Sequence, residues 1–154
     1  MNKTKICLTL TCKTLQENIE IAKKYSQYID LVELRADYLD EDECLHIRKF
    51  PRLLNIPCIL TIRRRIDGGQ YIGGEAARTM LFARAMAFAD QEMSKNFAYV
   101  DFEDDFHIPS LQDAAHAFGT RIIRSFHDMN NPVYDIIEKC NSMFLIDILL
   151  NFSF

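Results

Sequence analysis

Polar residues interrupt five short apolar segments of this chain at every second position. Thr9 and Thr11 end CLTLT, and Glu33, Arg35 and Asp37 punctuate LVELRAD. Thr61 and Arg63 end CILTIR, Asp101 and Glu103 fall in AYVDFED, and Ser125 and His127 close RIIRSFHD. A spacing of two puts such residues on one face of a strand. Burying them without partners costs on the order of several kcal/mol each, so they are expected to converge on one wet, charged pocket. Two arginines there suit an anionic small molecule, because a guanidinium grips a carboxylate through two parallel hydrogen bonds. A histidine titrates near neutral pH and can both take and give a proton.

Each feature has a plainer reading. Glu33 and Arg35 make sense as a structural ion pair. Asp101 and Glu103 fit an acid–base pair or metal ligands, and no second ligand cluster lies near them in sequence. His127 fits a satisfied structural histidine, and His46, His107 and His116 read as surface residues. The run Arg63–Arg65 offers phosphate contacts, but in strand phase only Arg63 and Arg65 share a face. The glycine-rich stretch Asp67–Gly74 lacks the strand–GxGxxG–helix and P-loop patterns, so it reads as a turn or flexible lid.

The elements that must position these residues alternate. Strands are predicted at Cys7–Thr11, Leu31–Asp37, Cys58–Arg63, Ala98–Asp104 and Arg121–Asp128. Helices are predicted at Leu15–Gln27, after Asp40, at Glu75–Met93, Pro109–Phe118 and Pro132–Met143. Thr14 with Glu17 forms a capping-box pattern, Asp40 stands at an N-cap, and Gly119 closes a helix. Strict β–α alternation implies a parallel sheet covered by helices. Strand starts about 23 to 40 residues apart fit the βα period of a (β/α)8 barrel or a doubly wound sheet. In either, function gathers at the C-terminal ends of the strands. The last residues, Phe144–Phe154, are mostly apolar, and a sixth strand fits there.

Length and composition narrow the class. The chain has 154 residues, with 18 Lys and Arg against 22 Asp and Glu, a net charge of −4. That suits one soluble domain over 1–154 and argues against general nucleic-acid binding, which wants a basic face. No apolar run approaches the roughly 20 residues a membrane span needs, and the start is too short in apolar residues for a signal peptide. Five cysteines in irregular spacing, without a zinc pattern, read as small buried hydrophobes in a reducing cytoplasm.

The segments VELRADYL, TIRRRIDGGQY, YVDFED and IIRSFHD, in that order from about Lys5 to about Met143, resemble type I 3-dehydroquinate dehydratase (3-dehydroquinase). The resemblance implies a (β/α)8 barrel and a lyase of the shikimate pathway that turns 3-dehydroquinate into 3-dehydroshikimate, with no metal or organic cofactor. It implies an imine on a lysine as the electron sink and a histidine that moves the proton. On that resemblance His127 is the general acid and base. Glu33, Arg35, Arg63 and Thr9 contact the small anionic substrate, Asp67 supports the histidine, and Asp101 and Glu103 line the pocket.

The chain also departs from the family. The strand-six lysine sits in a segment resembling AD-I-x-K-I-A, and the nearest register here, Ile146–Leu150, puts Leu150 in its place. Lys139, the only lysine after Lys95, belongs to the fifth helix. A complete barrel typically needs about 250 residues. The expectation is therefore an incomplete barrel of about five βα units, truncated or frameshifted, with a divergent tail over 143–154. An alternative follows: an inactive fragment that lacks the imine lysine and serves as an oligomerising or complementing piece. Its open edges also make a homodimer an expected state.

Overall fold

The computed structural model describes residues 4–86, 92–130 and 135–151, with side chains described as far as 143. The order is β1 (Cys7–Leu10), α1 (Leu15–Tyr25), β2 (Leu31–Arg35), α2 (Glu41–Cys44), β3 (Cys58–Thr61), α3 (Glu75–Met86), β4 (Tyr99–Glu103), α4 (Pro109–Ala117), β5 (Arg121–Ser125) and α5 (Ile136–Asn151).

Local chemistry sets most of these boundaries. The Thr14 hydroxyl accepts from the Glu17 backbone N–H while the Glu17 carboxylate accepts from that of Thr14, a complete capping box. The first turn of α1 then has its orphan donors satisfied. Leu15, Asn18, Ile19 and Ala22 are its buried stripe, at the spacing of one helix face. The Asn18 amide is wholly buried and acts as a pin: it accepts from Cys12 N–H and donates to the carbonyls of Cys12 and Thr14. Pro109 opens α4, and Gly119 beyond its end takes φ 73°, a left-handed conformation that other residues pay for in strain.

The second helix is shorter than its sequence suggests. Asp40 is at the N-cap, but its side chain makes no capping bond, and α2 is a single turn. Two 3₁₀ turns, Ile47–Lys49 and Pro51–Leu53, follow, because Pro51 supplies no N–H to continue a helix. The third helix ends at Met86 within the described residues, 87–91 lie outside them, and Met93–Lys95 is a separate 3₁₀ turn.

All five strands pair in parallel, in the order β1-β2-β3-β4-β5. This is an incomplete (β/α)8 barrel. Leu10, Val32, Leu34, Cys58, Leu60, Val100 and Phe102 are all buried, as are Phe82 from α3 and Leu111 and Ala115 from α4. The Phe82 ring meets Phe102 edge-on with centroids 5.0 Å apart, a favoured aromatic geometry.

Two expectations need correcting. A single helix, α5, occupies the segment where a sixth strand fits. Apolar residues without alternation satisfy either periodicity, and residues 152–154 and the expected helix start at Pro132 lie outside the described residues. The cysteines are also not all core residues. All five are free thiols, but only Cys58 is buried, where burial pushes its pKa up to about 12, while Cys7 and Cys140 are exposed. No helix among the described residues is long and apolar enough to cross a membrane.

Candidate active site

The C-terminal ends of the strands bring the alternating polar residues together on one face of the sheet, in three linked groups. In the first, Glu33 accepts a hydrogen bond from each neighbouring strand, from the Thr9 hydroxyl at 2.9 Å and the Thr61 hydroxyl at 2.7 Å. The parallel register makes this possible, since Thr9 stands opposite Glu33. Glu33 therefore leans on two hydroxyls rather than on Arg35.

In the second group, Arg35 forms a two-pronged pair with Asp37, Nε to Oδ1 at 2.9 Å and Nη2 to Oδ2 at 2.7 Å. Asp37 also accepts from the backbone N–H of Gln70 at 2.9 Å, which ties the glycine-rich loop to the end of β2. Asp37 hydrogen-bonding holds the Arg35 guanidinium charged.

The third group holds the histidine. Arg63 Nη2 donates to Asp101 at 2.6 Å, and the Ser125 hydroxyl donates to the other oxygen of Asp101. Arg63 Nη1 lies 3.4 Å from His127 Nδ1. A guanidinium only donates, so Nδ1 must accept, and the neutral ring carries its proton on Nε2. That Nε2 and the Nε of Arg63 are buried without a hydrogen-bond partner among the described residues. Burial, and then the Arg63 charge, lower the pKa of His127 from its ordinary 6.5, while Asp101, Asp67 and Glu103 oppose them. The imidazole is thus neutral at pH 7, the form a base requires. Asp101 is pushed up by burial, partly offset by the Ser125 hydrogen bond and Arg63.

Asp67 is placed differently from a simple histidine support. Its carboxylate accepts from Arg64 Nε at 2.5 Å, and Arg64 also holds Asp105 at 2.9 Å. It reaches His127 through its charge, with no hydrogen bond to the ring among the described residues.

Lys139 is held by partners outside these three groups. Its ammonium pairs with Asp104 and lies 4.1 Å from the centroid of the Phe126 ring. Asp104 and Phe126 follow directly on the ends of β4 and β5, and no hydrogen bond joins Lys139 to His127 among the described residues. Leu150 lies within α5.

Thr61 and Asp37 are among the alternating polar residues that the sequence marks, and that phase is their signal. Arg78 carried none: it is a charged residue on a helix face that turns out fully buried, holding Glu103. Among the described residues no cluster of three or more His, Cys, Asp or Glu is arranged to hold a metal.

The sequence pattern of the type I 3-dehydroquinase family matches residues 6–147. A 3-dehydroquinate dehydratase of Methanocaldococcus jannaschii is 31% identical over 149 residues, covering 90% of this chain and 62% of that protein. One from Lactococcus lactis is 26% identical, covering 93% of this chain and 61% of its own. Among solved structures, a type I 3-dehydroquinate dehydratase from Clostridium difficile, carrying covalently modified comenic acid, superposes with a TM-score of 0.77 at 21% identity, over 97% of this chain and 60% of that one. A 3-dehydroquinate dehydratase from Enterococcus faecalis gives the same score over 95% and 63%. At those identities the structural likeness is one of fold. The chain spans about three fifths of the length of these relatives.

Proposed function

Because the chain belongs to the type I 3-dehydroquinase family, we propose that its polar sheet face binds 3-dehydroquinate and that His127 moves the proton in its dehydration to 3-dehydroshikimate, a step of the shikimate pathway in the cytoplasm. The observation that carries this is the buried, unpartnered Nε2 of a neutral His127 beside Arg63.

The residues divide the work. Arg63 and Arg35 attract the anion, and Thr9, Glu33 and Thr61 offer a preset row of hydroxyl and carboxylate groups for the substrate's own hydroxyls. The reaction removes one proton from the carbon beside the ketone and one hydroxyl from the next carbon, giving a conjugated enone and one water. A neutral imidazole takes the proton and returns it to the departing hydroxyl. For Nε2 to act as the base it must lose its proton, and the ring can shift that proton to Nδ1 once Arg63 Nη1 turns from Nδ1 to the substrate. Asp67, Asp101 and Glu103 then stabilise the imidazolium through their charges.

The family's electron sink is an imine on a lysine. Lys139 is held by Asp104 and the Phe126 ring, with no hydrogen bond to His127 among the described residues. The chain by itself is therefore expected to bind 3-dehydroquinate without turning it over. Open strands at both sides of the sheet and the three-fifths span favour a second reading, a piece that works when further βα units of the family complete the barrel. The test is calorimetric binding of 3-dehydroquinate together with ultraviolet detection of the enone. Binding that Arg63→Met weakens at least about tenfold, the scale of one lost charge-assisted pair, supports the site. No binding to a folded chain overturns it. Turnover abolished by His127→Ala would overturn the missing-amine argument and leave the histidine role standing.

A further inference from the structure

Arg78 on α3 is 0% exposed and carries a permanent charge. Its Nη1 donates to both oxygens of Glu103, at 2.9 and 2.7 Å, and to the Ile62 carbonyl at 3.0 Å. Its Nε and Nη2 donate to Glu75 at 3.2 and 3.0 Å. The guanidinium also lies 4.3 Å from the centroid of the Phe106 ring, a cation–π contact in a desolvated setting. One side chain thus joins the C-terminal ends of β3 and β4 to the first turn of α3.

Two features make this more than a core strut. Ile62 immediately precedes Arg63, so the carbonyl that Arg78 holds belongs to the backbone that aims Arg63. Glu103 shares its strand face with Asp101, and its charge acts on both Asp101 and His127; left unpaired, it would be a second acceptor for Arg63. With Glu103 closed into a pair with Arg78, Arg63 goes to Asp101 and keeps its second nitrogen beside His127. A buried Glu103 without its partner would carry an uncompensated charge. It would then draw Arg63 from Asp101 or act directly on the histidine.

We propose that Arg78 is a positioning residue for the His127 site: it takes Glu103 out of competition for Arg63 and fixes the backbone from which Arg63 extends. This rests on the reading that Arg63 and His127 form the working pair. The charged groups acting on His127 are Arg63, Asp67, Asp101 and Glu103.

The experiment is a titration of the His127 imidazole by NMR in the full chain, without substrate, in wild type, Arg78→Met, Arg78→Lys and the double variant Arg78→Met/Glu103→Met. Arg78→Met is expected to raise the midpoint by about half a pH unit or more, a shift that a single nearby charge produces. The double variant replaces the pair with apolar side chains, which buried ion pairs often tolerate, and is expected to return the midpoint toward wild type. Arg78→Lys keeps a charge but loses the fork, and should shift the midpoint in the same direction by less. An unmoved midpoint in a folded Arg78→Met, or a double variant that stays shifted, overturns the proposal. If Arg78→Met does not fold, Arg78→Lys decides in the same way, and its unmoved midpoint overturns the proposal. Failure of the proposed function would show in the binding assay and leave this titration unaffected.

Discussion

At the scale of single residues, half-buried His127 and buried Asp101 both lie against Arg63. The His127 midpoint is expected below 6.5, and Arg63→Met, which removes a positive neighbour, should raise it; an NMR titration reads both. The sign for stability follows from linkage. Between the lowered folded midpoint and 6.5 the unfolded chain binds the extra proton. The His127 contribution therefore makes stability rise with pH through that window and fall as pH drops through it. Asp101 acts the other way: above 3.8 and up to its raised midpoint the folded state holds the proton, so its contribution falls as pH rises there. Ser125→Ala removes a hydrogen bond that favours the Asp101 carboxylate, and should push that midpoint higher still. Urea unfolding at a series of pH values, in wild type and in the Ser125→Ala and His127→Ala variants, separates the two contributions.

At the scale of elements, the loop between β3 and α3 does the positioning. A Cβ on Gly69 would lie 2.2 Å from the Arg63 carbonyl oxygen, a rigid backbone atom, whereas one on Gly74 meets nothing within 4 Å. Gly69→Ala is expected to cost about 2 kcal/mol or more and to weaken ligand binding, because relief requires Arg63 to move. Gly74→Ser precedes the first residue of α3 in open space and should be neutral or slightly stabilising, as serine is a good N-cap. Thermal unfolding and calorimetry on the two variants check the contrast. Asn18→Ala strips three hydrogen bonds from the β1–α1 connection and is expected to cost about 1–3 kcal/mol, since buried backbone groups lose their partner; urea unfolding measures it.

At the scale of the whole molecule, the sheet has two edges. The bonds Leu31 N–H to Ile6 C=O and Arg121 N–H to Ala98 C=O set the phase. The backbones of Cys7 and Thr9 on β1 and of Ile122 on β5 therefore point away from the sheet. Open edges of this kind invite pairing. Hydrogen exchange is expected to be slowest in β3 and β4 and fast at the Ile122 amide, with the neighbouring Ile123 amide protected. Analytical ultracentrifugation alongside it reads the partner: slow exchange at Ile122 in a dimer would assign the edge to a second copy, and fast exchange in a monomer would leave it open for further βα units.

The sequence by itself determined the alternation of strand and helix, the capping box of α1 and the phase of the site residues, because these depend on neighbours two to four positions away. Period-two spacing put Glu33 with Arg35, Thr61 with Arg63 and Ser125 with His127 on shared strand faces before any strand was paired. The order of motifs along the chain was enough to point to the family. Only the tertiary structure decided the partners. Glu33 took two threonine hydroxyls instead of Arg35, Asp67 took Arg64, and Lys139 took Asp104. Arg78 proved to be wholly buried, and Phe144–Asn151 joined a helix where a strand also fitted. Such choices depend on which side chains from distant segments meet, and on which charges remain after the others have paired. That is fixed by packing between elements, which local spacing does not encode.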